Sequence, residues 1–126
     1  MIVRAQNLEV RINDGNYNFP KTNFTGALSQ GRDVALCQLD GRPGLDIYVV
    51  QGVRPANQDF ILLNNGTGTS YTRLAVPNVA KGHGDIATCV PAFPGGLGES
   101  VLVTNGKWMS AGDSDLGPTR LIQLKP

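Results

Sequence analysis

Two short segments of this 126-residue chain recur at nearly the same spacing, and that spacing restricts the folds open to it. Asp33-Val34-Ala35-Leu36-Cys37 is matched 52 residues later by Asp85-Ile86-Ala87-Thr88-Cys89. Ile12-Asn13-Asp14-Gly15 is matched 51 residues later by Leu63-Asn64-Asn65-Gly66. Two independent matches at one period are the signature of a repeated supersecondary unit, which buries its apolar face only by stacking on its neighbours. The unit contains four strand-like runs, 33–39, 45–51, 59–65 and 71–76, rich in β-branched residues and separated by Gly, Asn and Asp. Asn65-Gly66 reads as the tight turn of a hairpin with φ > 0 at both positions. No run of ten or more residues carries a helical period.

Four antiparallel strands joined by hairpins make one β-propeller blade. The sequence therefore predicts an all-β chain of blades: a partial blade over 1–25, a complete one over 31–77 and a partial one over 81–126. That is roughly two and a half blades, where closed propellers use ~4–8. The chain reads as a fragment, or as a protomer completed by other chains through its open strand edges. The simpler alternative is a small β-sandwich with accidental self-similarity. Composition agrees with an all-β reading: 16 Gly and 8 Pro punctuate short segments.

Hydrophobic residues make up 40% of the chain and charged residues 17%, with a net charge of +1. That balance suits a foldable domain and gives no reason to expect nucleic acid or an anionic surface as partner. No apolar run reaches the ~20 residues of a membrane-spanning helix. The opening MIVRAQNLEVR places Arg and Glu where a signal peptide needs an apolar stretch.

Three stretches carry a further signal: QLDGRPGLDIYVVQG after the first strand, FILLNNGTGTSY later in the complete unit, and VRINDGNYNF in the first partial blade. Through them the chain resembles the FG-GAP/VCBS repeats of integrin-like β-propellers. In that family an acidic loop binds calcium, an ion that takes ~6–8 oxygen ligands from closely spaced side chains on a tight turn. Carried over by position, Gln38 stands where the first Asp belongs and Asp40 matches the second acidic position. Gly41 keeps its glycine, Arg42 replaces an acidic ligand, Pro43 replaces a glycine and Asp46 matches the last Asp. Asp40 and Asp46 are thus the candidate metal ligands, with calcium as the implied cofactor. They can equally hold the turn by accepting backbone N–H groups, and Arg42 can neutralise either. In the second copy, VPAFPGGLGES, no Asp remains and the turn is longer.

Other residues divide between chemistry and structure. Cys37 and Cys89 occupy matching places in equivalent strands, which implies positions too far apart for a disulfide and two buried free thiols. His83 stands alone in KGHGD and forms no triad or metal cluster in the sequence. Asp33 and Asp85 open equivalent strands, and their repetition points to a turn or an inter-blade hydrogen bond. Asn23-Phe24-Thr25 and Asn65-Gly66-Thr67 are glycosylation sequons. Trp108, on a polar loop, is the candidate ligand-binding residue, since a loop Trp can stack on a sugar or anchor a partner. GDSDLG, at 112–117, carries two carboxylates as a lone motif.

No nucleophile, base or cofactor motif stands out. The expected function is non-enzymatic: an extracellular binding, adhesion or structural module that contacts a protein partner or assembles with itself through strand edges. A carbohydrate-binding, lectin-like propeller and a fragment of a larger propeller enzyme are the alternatives.

Overall fold

The computed structural model describes residues 2–4, 7–11, 13–19, 21–27, 31–51, 58–76, 86–104 and 119–126, with backbone alone for 2–4, 7 and 21–27. The described residues are all-β and antiparallel, with no helix. Three sheets follow one another along the chain. The first is β1 (Ile2–Arg4), β2 (Asn7–Arg11) and β3 (Lys21–Ala27), in that order. The second is β4 (Gly31–Cys37), β5 (Asp46–Gln51), β6 (Phe60–Asn64) and β7 (Tyr71–Ala75), also in chain order. The third is β8 (Ile86–Val90), β9 (Ser100–Thr104) and β10 (Arg120–Ile122). Alternating apolar residues and frequent Gly and Asn between them explain why hairpins form in sequence order. β1 and β3 lie in a segment that the repeat does not resolve into separate strands.

The two central strands of the middle sheet, β5 and β6, are buried on both faces. All six residues of β5, Asp46–Gln51, are buried, which is why that strand reads as one continuous apolar run rather than an alternation. The period of two then divides the sheet between two cores. Ile47, Val49, Phe60 and Leu62 pack with Leu8 and Val10 of the first sheet. Ala35, Cys37, Tyr48, Val50 and Ile61 pack with Ala87, Val101 and Val103 of the third sheet. At about 1.5–3 kcal/mol for each fully buried large apolar side chain, this two-sided stacking is the main source of stability.

The loops after β2 and β6 share one design. Asn13 Oδ1 accepts the Gly15 amide, and Asp14 Oδ1 accepts that of Asn16. In the later copy Asn64 Oδ1 accepts Gly66 and Gly68, and Asn65 Oδ1 accepts Thr67. The Asn65 amide closes the loop on the Ser70 carbonyl at 3.1 Å. This is a longer loop than the two-residue turn that Asn65-Gly66 suggests. Gly66 has φ +95°, but Asn65 is not among the residues with positive φ. Side-chain acceptors at Asn64 and Asn65 satisfy the loop amides and make the wider turn the better one.

Position 17 breaks the pattern of that loop. Its counterpart is Gly68 at φ +74°, whereas Tyr17 adopts φ +61° with its side chain 90% exposed. Left-handed backbone costs a residue with a Cβ about 1–2 kcal/mol, while glycine loses about 0.5–1 kcal/mol more in entropy on folding. Tyr17→Gly is therefore expected to stabilise the fold by about 0.5–1 kcal/mol. Urea unfolding checks this, and a lower midpoint in the variant would contradict it.

Candidate functional site

The acidic loop between β4 and β5 is the place where the sequence puts its chemistry. Asp46 opens β5 and is completely buried. Its Oδ2 accepts the Leu39 amide at 2.9 Å and the Asp40 amide at 3.3 Å. Its Oδ1 accepts the Asn64 amide at 2.8 Å. One carboxylate thereby ties the β4–β5 loop to the end of β6. The Asn64 side chain completes the link by donating to the Leu45 carbonyl at 3.1 Å. Asp40 is turned towards Arg42: it accepts the Arg42 amide at 2.9 Å and the Arg42 Nε at 2.6 Å. Gly41 has φ +74°, and a Cβ there would come within 2.6 Å of the Leu97 carbonyl oxygen, so no larger residue fits.

These contacts are a poor fit to calcium. The ion needs several converging oxygens with open lone pairs, whereas both Asp46 oxygens are directed at amides and Asp40 is bound to a guanidinium. Among the described residues no three His, Cys, Asp or Glu side chains gather as a metal set. The protein's own donors, three amides and Arg42, occupy the place a cation would take. Trp108, His83, Asp85 and the GDSDLG stretch all lie outside the described residues.

The loop that corresponds to the acidic one in the third sheet, 91–99, is held from outside itself. The Gln38 amide donates to Glu99 Oε2 at 2.7 Å, and the Glu99 amide donates back to the Gln38 carbonyl at 2.6 Å. The Leu97 amide reaches the Leu124 carbonyl, and Gln123 Nε2 reaches the Phe93 carbonyl. Ser100 stands in the place of Asp46 at the start of the second strand and is likewise completely buried. Its hydroxyl has no hydrogen-bond partner among the described residues. Without an acidic tie of its own, the loop is held by Gln38 of the neighbouring unit, by Gln123 and Leu124 beyond β10, and by the Gly96 amide on the Phe93 carbonyl.

Cys37 and Cys89 form a disulfide, with 5.6 Å between their Cα atoms. This corrects the expectation of two free thiols, and strand register supplies the reason. Cys37 lies opposite Asp46 in the middle sheet, but Val90, not Cys89, lies opposite Ser100 in the third. With Asp46 set on Ser100, Ile47 falls on Val101 and Val49 on Val103, and both pairs face the preceding sheet. On that frame Cys89 takes the place of Leu36. A shift of one residue turns a strand over, so Cys89 looks back at Cys37 rather than away from it. Beside the disulfide, Asp33 Oδ2 accepts the Ala87 amide at 2.9 Å. Asp33 thus bonds between sheets, the structural role to which its repetition points.

A second buried carboxylate has no sequence signal beyond its place before a strand. Asp59 accepts the Tyr48 hydroxyl and the Gln51 amide, each at 2.9 Å. Burial raises its pKa above the ordinary carboxylate value, against the opposing pull of the Gln51 amide, the Tyr48 hydroxyl and the positive charge of Arg120. Burial and the Asp59 charge together push the Tyr48 hydroxyl up as well. Because the folded pKa of Asp59 lies above its unfolded value, the folded state holds more protons in that window. This group therefore costs stability as pH rises through its raised pKa, and the cost is absent below the unfolded value. Asp59→Asn is expected to remove this contribution and flatten the fall in stability as pH rises above the ordinary carboxylate range. Urea midpoints across that range measure it, and an unchanged slope would contradict it.

An apolar cleft of about 230 Å³ opens between Leu74, Ala75 and Val76 on one side and Leu121, Ile122 and Leu124 on the other. It is smaller than the ~300–1,000 Å³ of small-molecule sites. No helix of the described residues is long and apolar enough to cross a membrane. Comparison with known proteins brings no matching family model, curated protein or solved structure.

Proposed function

We propose that this chain is a non-enzymatic binding or structural module of the FG-GAP/VCBS type, working outside the cell, whose sheets stack as propeller blades. The observation that carries this reading is the order of faces. Ile47, Val49, Phe60 and Leu62 look towards the preceding sheet, and so do their counterparts Val101, Val103 and Ile122. A sandwich made by two-fold pairing of repeats sets like faces together. A propeller advances each unit by the same rotation and sets unlike faces together, as here. The disulfide between neighbouring units suits an oxidising, extracellular setting.

The chemistry favours binding over catalysis. The two completely or nearly buried carboxylates, Asp46 and Asp59, spend their oxygens on amides and a tyrosine hydroxyl rather than facing a cavity. What the surface offers is strand edge and apolar side chain: β7 and β10 end their sheets on either side of the cleft, Leu74 is 40% exposed on the middle sheet, and Leu121 is 44% exposed on the outer face of β10. Such edges take up further strands or sheets from a protein partner or another copy. Light scattering after size exclusion, over a range of concentrations, tests the assembly reading. Growth in mass with concentration is expected, and a strict monomer at high concentration overturns it.

Calcium should leave the protein unchanged, because Asp40 and Asp46 are already engaged. A ligand that binds only the folded state raises its stability by mass action. The thermal midpoint is expected to be the same in millimolar calcium and in a chelator, and a rise with calcium would return the loop to the metal-binding class.

A further inference from the structure

We infer that the outer face of the third sheet is the interface for a second copy of this chain, packed face to face about a two-fold axis. The inference rests on the assembly reading above and names the surface that carries it. Strand pairing places Ile86, Thr88, Leu102, Thr104 and Leu121 together on that face. Ile86 is 54% exposed and Leu121 44% exposed, and Leu102 at the centre is half-buried. An antiparallel sheet with one wet face ordinarily turns polar residues to water. With Val90 and the buried Ser100 at its loop end, this face holds four aliphatic side chains, two threonines, a serine and no charge. On the corresponding face of the middle sheet Tyr48, Val50 and Ile61 are buried under a neighbouring sheet, and only towards the β7 edge does Leu74 stay 40% exposed. The same kind of face is thus largely covered in one sheet and exposed at Ile86 and Leu121 in the next.

The occupant follows from what the chain itself can present. A head-to-tail contact would bring up the far side of the first sheet, which carries the Glu9–Arg11 ion pair at 3.2 Å. Setting that pair on aliphatic side chains would strip water from both charges, a cost that the attraction within a buried pair does not generally repay. The third sheet set against its own copy puts Leu on Leu and Ile on Ile or Thr, with no charge buried. A two-fold contact of this kind is self-complementary and closes at two chains. A net charge of +1 offers no repulsion between copies. A face of three short strands makes a small interface, so the dimer is weak and reversible.

The test uses the full chain at about 10–500 μM, a range that brackets weak association. Light scattering is expected to show a mass rising from 13.4 kDa towards twice that value and no further. Leu121→Lys should hold the protein at 13.4 kDa with unchanged circular dichroism and thermal midpoint. Leu102→Cys, at the centre of the face, should give a reducible dimer on a non-reducing gel, which does not depend on how well the lysine variant folds. Self-association that Leu121→Lys and Leu102→Cys both leave untouched overturns this interface while keeping the assembly reading. Mass that grows past two chains overturns the two-fold packing in favour of a head-to-tail contact. A monomer throughout the range, with no Leu102→Cys cross-link, overturns both.

Discussion

Reducing the Cys37–Cys89 disulfide is expected to lower the unfolding free energy by about 4 kcal/mol, the largest single effect predicted for this chain. The bond joins residues 52 apart. In the chain-entropy account, closing a loop of that length restricts the unfolded ensemble by an amount between the ~3 kcal/mol of a 15-residue loop and the ~4.7 kcal/mol of a 100-residue one. The bond also joins two separate sheets, so its loss removes a covalent tie where β4 meets β8. The reduced chain should show a lower urea midpoint and a steeper dependence on urea, because its unfolded state expands. The Cys37→Ala/Cys89→Ala pair should behave like the reduced protein. An unchanged midpoint under reductant would mean that the tie between the sheets contributes nothing.

Asp46→Ala is expected to cost about 3–5 kcal/mol, because it leaves the amides of Leu39 and Asn64 without acceptors and each such buried group costs about 1–3 kcal/mol. Both residues are buried, at 1% and 6% exposure. The methyl of alanine also leaves a void where the carboxylate stood. Asp46→Asn retains one acceptor oxygen and should fall between the two. The loss should be the same with and without calcium, since the carboxylate acts on the backbone. A loss below about 1 kcal/mol would mean that the loop holds itself by other contacts. A loss that appears only in calcium would make Asp46 a ligand after all.

The strands were legible in the sequence because their apolar residues alternate or run together: β5 to β7 lie inside the runs at 45–51, 59–65 and 71–76. The loop after β6 was legible as a turn but not in its length, since Asn64 and Asn65 bond to amides beyond the two residues that Asn65-Gly66 marks. The structural use of Asp33 and Asp46 could be read from type and place: an aspartate at a strand start, beside glycine, commonly accepts backbone amides. The disulfide could not be read. DVALC and DIATC share Asp, Ala and Cys at a spacing of 52, but the third sheet, with its longer 91–99 loop, pairs one residue out of step. Register belongs to the pairing of two strands, and a one-residue slip leaves no mark on either strand alone. The ties of Glu99 to Gln38 and of Asp59 to Tyr48 were hidden for the same reason, since each joins residues that only the fold brings together.

The most direct test of this account is the set of methyl contacts across the two cores, measured by nuclear Overhauser effects on the oxidised protein. Stacking of unlike faces predicts that Val101, Val103 and Ile122 approach Val50 and Ile61, that Leu8 and Val10 approach Ile47 and Val49, and that Ile86 approaches neither set. Contacts from Ile86 and Leu102 to Val50 and Ile61 would place the third sheet the other way over. They would contradict both the one-residue shift and the propeller-like order of faces.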